Sequence, residues 1–338
     1  MTRTVFVSGG SGYIAGFLIR QLVAEGWMVH TSIRNLAKES EVRAHLNVDD
    51  SKLRFFAADL MHDAGWAEAM AGCSHVAHVA SPLPANAPKN DDELIVPARD
   101  GALRALKAAK AAGVRRFVMT SSMAAIAYGH GRGRHVFTEA DWTDVSSKDA
   151  YAYVKSKTIA ERAARDWVAA EGDGMEYVTV NPSLVLGPLQ SGDFSTSLEA
   201  IKKLLDGSLP GLPDFGFGVV DVRDVADMHV RCLTAPNMAG ERFICSGPFL
   251  MMADVGKILR DGLGHQGRKV PTRRLPDFVL RIAALFDPVI RQVIGELGNR
   301  RESPAVHAQE KLGWVPRPPA ESILDTARDM IRLGIVRI

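Results

Sequence analysis

Along the first half of the chain, short β-branched runs alternate with longer segments whose apolar residues recur every three to four positions. Residues 4–8, 28–33, 53–57, 75–80, 116–121 and 175–181 read as strands. Residues 14–25, 64–71, 95–112 and 153–170 read as helices between them. This alternation predicts an α/β fold, a doubly wound parallel sheet with right-handed crossovers and helices on both faces. Ligands of such sheets lie beyond the carboxyl ends of the strands, where strand order reverses. After Pro182 the rhythm breaks. Pro188, Pro210 and Pro213 punctuate a stretch with one helical pattern at 197–206. Residues 218–232 then read as a strand–helix pair returning to the sheet, with a further strand at 243–246. From Met252 the pattern is helical with proline breaks, ending in a helix at 320–333. The expected division is a sheet domain of 1–182 and 216–249, and a smaller, mainly helical substrate lobe of 183–215 and 250–338.

The first strand runs into Gly9-Gly10-Ser11-Gly12-Tyr13-Ile14-Ala15-Gly16 and then a helix. Glycines let a backbone turn tightly against a pyrophosphate, and amides at the helix start hold its charge. The spacing is Gly-x-x-Gly-x-x-Ala rather than the simplest dinucleotide fingerprint. Its place between strand and helix makes it a Rossmann-type cofactor turn, with Gly9, Ser11, Gly12, Tyr13 and Ile14 as contacts. The end of the second strand selects the cofactor. An NAD site usually places an acid there for the ribose hydroxyls. Here the stretch reads His30-Thr31-Ser32-Ile33-Arg34-Asn35, with no carboxylate. Arg34, helped by Ser32 and Lys38, suits a 2′-phosphate, so NADP(H) is expected. Asp59 and Leu60, after the third strand, are placed to receive an adenine amino group; Asp59 equally suits a cap for the next helix. Ala80 and Ser81 close the fourth strand where a cofactor ribose would pass.

Two Tyr-x-x-x-Lys pairs overlap in Tyr151-Ala152-Tyr153-Val154-Lys155-Ser156-Lys157, on nearly opposite helical faces. Tyr153 and Lys157 continue through Ala160, Ala164 and Val168, an apolar stripe expected to pack on the sheet. Tyr151 and Lys155 continue through Arg162 and Asp166, a polar stripe expected to face solvent. Tyr153 and Lys157 are therefore the working pair. A phenol titrates near pH 10 in water, and a neighbouring ammonium and an oxidised nicotinamide ring would lower that value. Tyr153 could then protonate the alkoxide formed as hydride arrives, with Lys157 also holding the nicotinamide ribose. Thr120-Ser121-Ser122 ends the fifth strand, where Ser122 could donate a hydrogen bond to a substrate carbonyl.

Together these residues resemble the extended short-chain dehydrogenase/reductase family, in particular its dihydroflavonol reductase-like and aldehyde reductase branch. The resemblance spans essentially the whole chain. Besides the motifs above it rests on His78-Val79-Ala80-Ser81-Pro82, Tyr153-Val154-Lys155-Ser156-Lys157-Thr158-Ile159-Ala160-Glu161 and Asn181-Pro182-Ser183-Leu184-Val185-Leu186-Gly187-Pro188. Val220-Asp221-Val222-Arg223-Asp224-Val225-Ala226 and Leu312-Gly313-Trp314 extend it. It implies Ser122, Tyr153 and Lys157 as the triad, and a nicotinamide carboxamide held by backbone from Pro182 to Val185. It also implies Ser195 as a polar contact near the cofactor, Asp221 to Asp224 as lobe-junction residues, and hydride transfer from NADPH to an aldehyde or ketone. Met123-Ala124-Ala125-Ile126-Ala127-Tyr128 and Ala150-Tyr151-Ala152-Tyr153 match neither the flavonoid-reducing nor the cinnamoyl-thioester-reducing members, so neither substrate is assigned. The other pocket segments, 83–87, 184–189 and 209–217, are mostly apolar, which favours a hydrophobic or aromatic carbonyl compound. The glycine- and arginine-rich stretch 129–135 is expected to be a solvated loop.

A net charge of +2 over 338 residues argues against a dedicated nucleic-acid binder. Cys73, Cys232 and Cys245 form no metal or disulfide spacing and read as buried thiols; no metal is expected. Residues 1–5 run directly into a strand and no apolar stretch is long enough for a bilayer, so a cytoplasmic protein without a membrane partner is expected, and the family resemblance implies a monomer or a homodimer. The competing readings are a nucleotide-sugar epimerase or dehydratase on the same scaffold and a cofactor-sensing protein without chemistry. Against them stand the missing Asp-Glu pair after Ser122 and the presence of all three triad residues.

Overall fold

The chain adopts its structure, a computed structural model describing residues 3–82, 88–190, 198–285 and 294–338, around one large sheet and two small ones. In chain order the first half contains β1 (Thr4–Val7), α1 (Tyr13–Ala24), β2 (Met28–Ile33), α2 (Glu39–Leu46), β3 (Leu53–Ala57), α3 (Trp66–Met70), β4 (His75–His78) and α4 (Asp92–Ala111). Then come β5 (Arg116–Thr120), β6 (Arg134–Val136), α5 (Ala152–Glu171), β7 (Glu176–Pro182), β8 (Leu184–Leu186) and α6 (Glu199–Leu205). The remainder is β9 (Gly216–Asp221), α7 (Val222–Thr234), β10 (Arg242–Cys245), β11 (Phe249–Met251), α8 (Met252–Leu263), α9 (Asp277–Ala283), β12 (Arg300–Glu302), α10 (Val306–Leu312) and α11 (Pro319–Arg332).

The large sheet is parallel throughout, in the order β10-β7-β5-β4-β1-β2-β3. Its order reverses between β1 and β4, so every carboxyl strand end lies on one edge and the switch point sits beside the glycine turn. Strands covered on both faces must be apolar at successive positions, which is why Val5, Phe6 and Val7 are all buried. Val5 and Val7 join Leu18, Ile19 and Leu22 of α1 and Val225 of α7 in one core. Phe6 points the other way, into a core with Trp66 of α3, Leu106 of α4, Ala160 and Ala164 of α5, and Tyr177 of β7. Thus the apolar stripe of α5 is buried as its pattern required. A third core of Ile201, Leu204, Val255, Leu259, Ile323 and Met330 holds α6, α8 and α11 together.

Two expectations fail. Residues 216–221 do not return to the large sheet: β9 pairs in parallel with β8 and antiparallel with β11, forming a separate three-stranded sheet. An apolar run announces a buried strand but not its neighbour, and the position beside β7 is taken by β10. Val219 consequently faces the third core and Val220 the first. The second failure is confined to the end of the loop at 129–135: residues 130–132 are exposed as expected, but residues 134–136 form β6 and pair in parallel with β12. Gly133 donates its amide to Asn299 Oδ1 at 3.0 Å, and Arg134 binds Glu302 through two hydrogen bonds of 2.8 and 3.0 Å. Neither partner is visible locally, because each lies more than 160 residues away. All three cysteines are free and buried. No described helix is long and apolar enough to cross a membrane.

Candidate active site

Beyond β1, the glycine turn is fixed by its neighbours on both sides. Gly10 donates its amide to the Ser32 carbonyl at 2.8 Å, and Gly9 donates to Ser32 Oγ at 3.0 Å. Gly9 holds φ at +72°, and a Cβ there would sit 3.1 Å from Ala80 Cβ, so only glycine lets the turn lie against the end of β4. Ser8 anchors that end: its Oγ accepts the amides of Val79 and Ala80 at 2.9 Å each and lies 3.1 Å from His78 Nδ1. With two amides already received, the Ser8 hydroxyl donates its proton to His78. Burial keeps His78 neutral, holding its pKa down at about 3 with help from the Lys157 charge.

α1 begins after Gly12 with no side-chain cap and no acid in its first turn, while Ser11 and Gly12 are exposed. Uncapped amides at an exposed helix start are a ready anion site, which is what a pyrophosphate requires. Tyr13 offers only its amide there. Its hydroxyl is buried without a hydrogen-bond partner, and burial, with the nearby Asp221 charge, pushes its pKa well up. Ile14 is partly buried beside it.

Arg34, past the end of β2, is exposed and has no ion-pair partner among the described residues. Ser32 does not share its role, because it is buried and its Oγ is held by Gly9. Asp59 caps no helix: its Oδ1 accepts the Met61 amide at 2.8 Å in a local turn, well before α3 starts. Leu60 packs on the core beneath α4, and Ala80 and Ser81 are partly buried at the end of β4.

Ser122 follows β5 in extended backbone, and its Oγ accepts the Ala124 amide at 3.1 Å. Tyr153 and Lys157 lie one turn apart in α5, with Lys157 Nζ 5.9 Å from the Tyr153 ring centroid. The expected lowering of the phenol does not occur in the protein alone. Burial raises the Tyr153 pKa, and the Ser122 hydrogen bond opposes that rise without overcoming it. Lys157 is 7% exposed and has no hydrogen-bond partner among the described residues. Burial lowers its pKa to about 8 against the field of Glu161. A buried ammonium with three free donors is suited to the hydroxyls of a ribose.

Pro182 ends β7 and Val185 lies buried in β8, so the intervening backbone crosses the carboxyl edge beside Ser122. Two buried oxygens here, Asn181 Oδ1 and Ser183 Oγ, lack partners, as a polar ligand at this edge would require. The uncapped helix start, the free ammonium and these orphaned oxygens all fit a nicotinamide dinucleotide. Ser195 and the segment 83–87 lie outside the described residues.

Several residues without an expected role join the site. Glu161, one turn beyond Lys157, is fully buried and binds Arg242 at 2.7 Å. Its place in the Tyr-x-x-x-Lys-x-x-x-Glu spacing was the signal. Of the stripe expected to face solvent, Arg162 and Asp166 do and Lys155 does in part, but Tyr151 is covered. Tyr151 stacks on Tyr153 at 6.4 Å and meets Tyr128 edge-on at 6.0 Å, while Lys155 pairs with Asp91 at 2.7 Å. Their neighbours come from distant segments. Glu296 hydrogen-bonds Tyr128, which hydrogen-bonds Tyr151. Arg301 joins them from β12, pairing with Glu296 and with Asp149 at 3.0 Å, donating to the Ala127 carbonyl at 2.9 Å, and lying 4.3 Å over the Tyr128 ring. At the lobe junction Asp221 caps α7 through the Arg223 amide at 2.8 Å and accepts Ser322 Oγ at 2.8 Å, and Arg223 bridges to Asp325 at 2.7 Å.

A parallel sheet with a dinucleotide turn at its switch point and a Ser–Tyr–Lys set across the same edge defines a nicotinamide-nucleotide protein of the extended short-chain dehydrogenase/reductase class. The chain belongs to the NAD dependent epimerase/dehydratase family, whose profile matches residues 5–245. It is 34% identical to cinnamoyl-CoA reductase CAD2 of Medicago truncatula, over 77% of this chain and 80% of that one. It is 30% identical to a dihydroflavonol 4-reductase of Gerbera hybrida, over 76% of this chain and 72% of that one. Gre2 of Candida albicans, solved in complex with NADPH, shares the fold at a TM-score of 0.82 and 24% identity, covering 98% of this chain and 99% of that one.

Proposed function

We propose that the protein is an NADPH-dependent carbonyl reductase that converts a hydrophobic or aromatic aldehyde or ketone to an alcohol. The observation that carries this reading is the placement of Ser122, Tyr153 and Lys157 at the strand edge that also bears the glycine turn. Gly9, Ser11, Gly12 and the amides of Tyr13 and Ile14 would hold the pyrophosphate, and Arg34 the 2′-phosphate. Asp59 and Leu60 would border the adenine, and Ala80, Ser81 and Lys157 the riboses. The Pro182–Val185 backbone would hold the carboxamide, with Ser195 nearby. Residues 1–182 and 216–249 would thus serve the cofactor, and 183–215 with 250–338 the substrate.

The cofactor, when bound, supplies the hydride. The protein supplies the rest. Ser122 donates a hydrogen bond to the substrate oxygen, stabilising the charge that develops there. Tyr153 Oη gives its proton to that oxygen, which requires a phenol protonated at the start, and burial maintains it so. Lys157 holds the ribose and favours the phenolate that remains. The Tyr128–Tyr151 pair, stacked against Tyr153, would give the substrate side its aromatic character. The relatives are reductases by name, which supports the reaction class.

The test follows NADPH consumption against aromatic, aliphatic and α-keto carbonyl compounds, with NADH in parallel. Turnover is expected, and Tyr153→Phe is expected to lower kcat about 10²–10⁴-fold. A Tyr153→Phe variant matching wild type would refute the assignment. Absence of turnover together with stoichiometric NAD in the purified protein would favour the epimerase or dehydratase reading.

A further inference from the structure

We propose that Glu161 is a positioning residue for both catalytic ends of the site, holding the Ser122 backbone in place from below and setting the charge state of Lys157 from one turn away. The proposal rests on the reductase reading only for what Ser122 and Lys157 do with substrate and cofactor.

Glu161 is buried completely, and donors from five residues converge on its two oxygens. Oε1 receives Arg242 Nε at 2.7 Å, Arg165 Nε at 3.3 Å and Thr179 Oγ1 at 3.2 Å. Oε2 receives Ser121 Oγ at 2.5 Å and Asn181 Nδ2 at 2.9 Å. These donors come from the residue after β5 and from α5, β7 and β10, so one carboxylate joins the catalytic helix to two strands of the large sheet and the end of a third. Only an ionised carboxylate can do this, because an amide would turn donors toward donors at one of its two ends. The link to Ser122 is direct. Asn181 Nδ2, already bound to Glu161, also donates to the Ser122 carbonyl at 3.1 Å, and the Ser121 hydroxyl is the neighbouring tether.

The link to Lys157 is electrostatic. Glu161 sits at i+4 on the same helix, and it is the carboxylate that favours the charged form of the buried Lys157 ammonium. The other groups facing Lys157 are Tyr153 on its own helix and His78 from β4, which is held neutral. Arg165 and Arg242, behind Glu161, are cations whose effect the carboxylate shields. Burial raises the Glu161 pKa and the two arginines more than reverse it, so its charge persists at neutral pH.

The test uses the full-length protein labelled with [13Cε]lysine, with Lys157→Arg assigning the Lys157 resonance. In wild type without cofactor, the resonance is expected to titrate near 8. In Glu161→Gln it is expected about one pH unit or more lower, since the only attractive charge is gone. Glu161→Asp keeps the charge but shortens the arm, so its titration stays near wild type while kcat falls on the order of 10-fold through a displaced Ser122. A folded Glu161→Gln protein with an unmoved Lys157 titration would overturn the electrostatic role. Glu161→Asp with wild-type kcat would overturn the tether, and this arm stands even where Glu161→Gln fails to fold. A shifted Lys157 titration in a protein that reduces no carbonyl would leave the positioning role intact and refute the reductase reading instead.

Discussion

Arg34 and Ser32 lie two residues apart, yet they should separate cleanly in cofactor binding. Arg34 is exposed and pairs with no other described side chain, so its replacement should change folding stability by less than about 0.5 kcal/mol. Any loss in Arg34→Leu is then a loss of binding. A charge-assisted contact to a phosphate contributes about 1.5–3 kcal/mol, reduced at an exposed site to roughly 1–2 kcal/mol. NADPH affinity should fall about 5–30-fold, and NADH affinity should be unchanged. Because the contact is exposed, the wild-type preference for NADPH should also shrink on raising salt. Ser32→Ala removes the acceptor of the Gly9 amide, a contact beneath the pyrophosphate turn common to both cofactors. It should weaken NADPH and NADH equally. Nucleotide fluorescence titrations on both variants, at two salt concentrations, give all the comparisons. Equal loss of both cofactors in Arg34→Leu, or selective loss of NADPH in Ser32→Ala, would refute the reasoning.

His75, His78 and His229 are buried and held neutral by burial, with pKa values of about 4, 3 and 4. The unfolded chain takes protons near 6.5 that the folded chain refuses, so stability is full above that pH and falls below it, by roughly 1.4 kcal/mol per unit per histidine. Urea midpoints at pH 7.5, 6.0 and 5.0 should therefore decline, and a flat series would count against neutral burial. Arg116 donates to the carbonyls of Cys232, Leu233 and Ala235 at the end of α7 and binds Glu176. Arg116→Met should cost about 2–4 kcal/mol of stability, read by urea unfolding, and leave KM unchanged because the residue lies at the opposite strand ends. On the proposed function, Tyr151→Ala should change the ranking of substrates more than the affinity for NADPH, since Tyr151 stacks on the proposed proton donor Tyr153.

Periodicity was sufficient to place β1 through β5 and β7, because parallel strands covered on both faces must be apolar throughout. It placed α1, α3, α4 and α5 but missed α2, an eight-residue helix that buries only Val42 and Leu46. It also predicted which face of α5 is buried, since Ala160 and Ala164, which continue the Tyr153–Lys157 stripe, lie in the core. What else it missed was non-local. β9 shows its apolar residues but not its partner, and β6 and β12 are three residues each, too short to carry a period. The spacing put Glu161 one turn beyond Lys157 on the same helix, but its role was not legible, because the convergence of Arg242, Ser121 and Asn181 on it comes from other elements. Tyr151 seemed solvent-facing because the residues covering it, Tyr128 and Glu296, come from other parts of the chain.

The pairing of β6 with β12 has a consequence for how the protein comes into being. Contacts this distant along a chain form late, since the long intervening loop must close before they are rewarded. During synthesis the large sheet can assemble once β10 has emerged, leaving the Tyr128–Tyr151 wall without Glu296 and Arg301. The cofactor side of the site would then mature before the substrate side. A nascent chain should acquire nucleotide affinity first and selectivity for its carbonyl compound last. The same order governs recombination: a C-terminal lobe exchanged between relatives must bring a β12 matched to the host's β6, or the transplanted pocket will lack one wall.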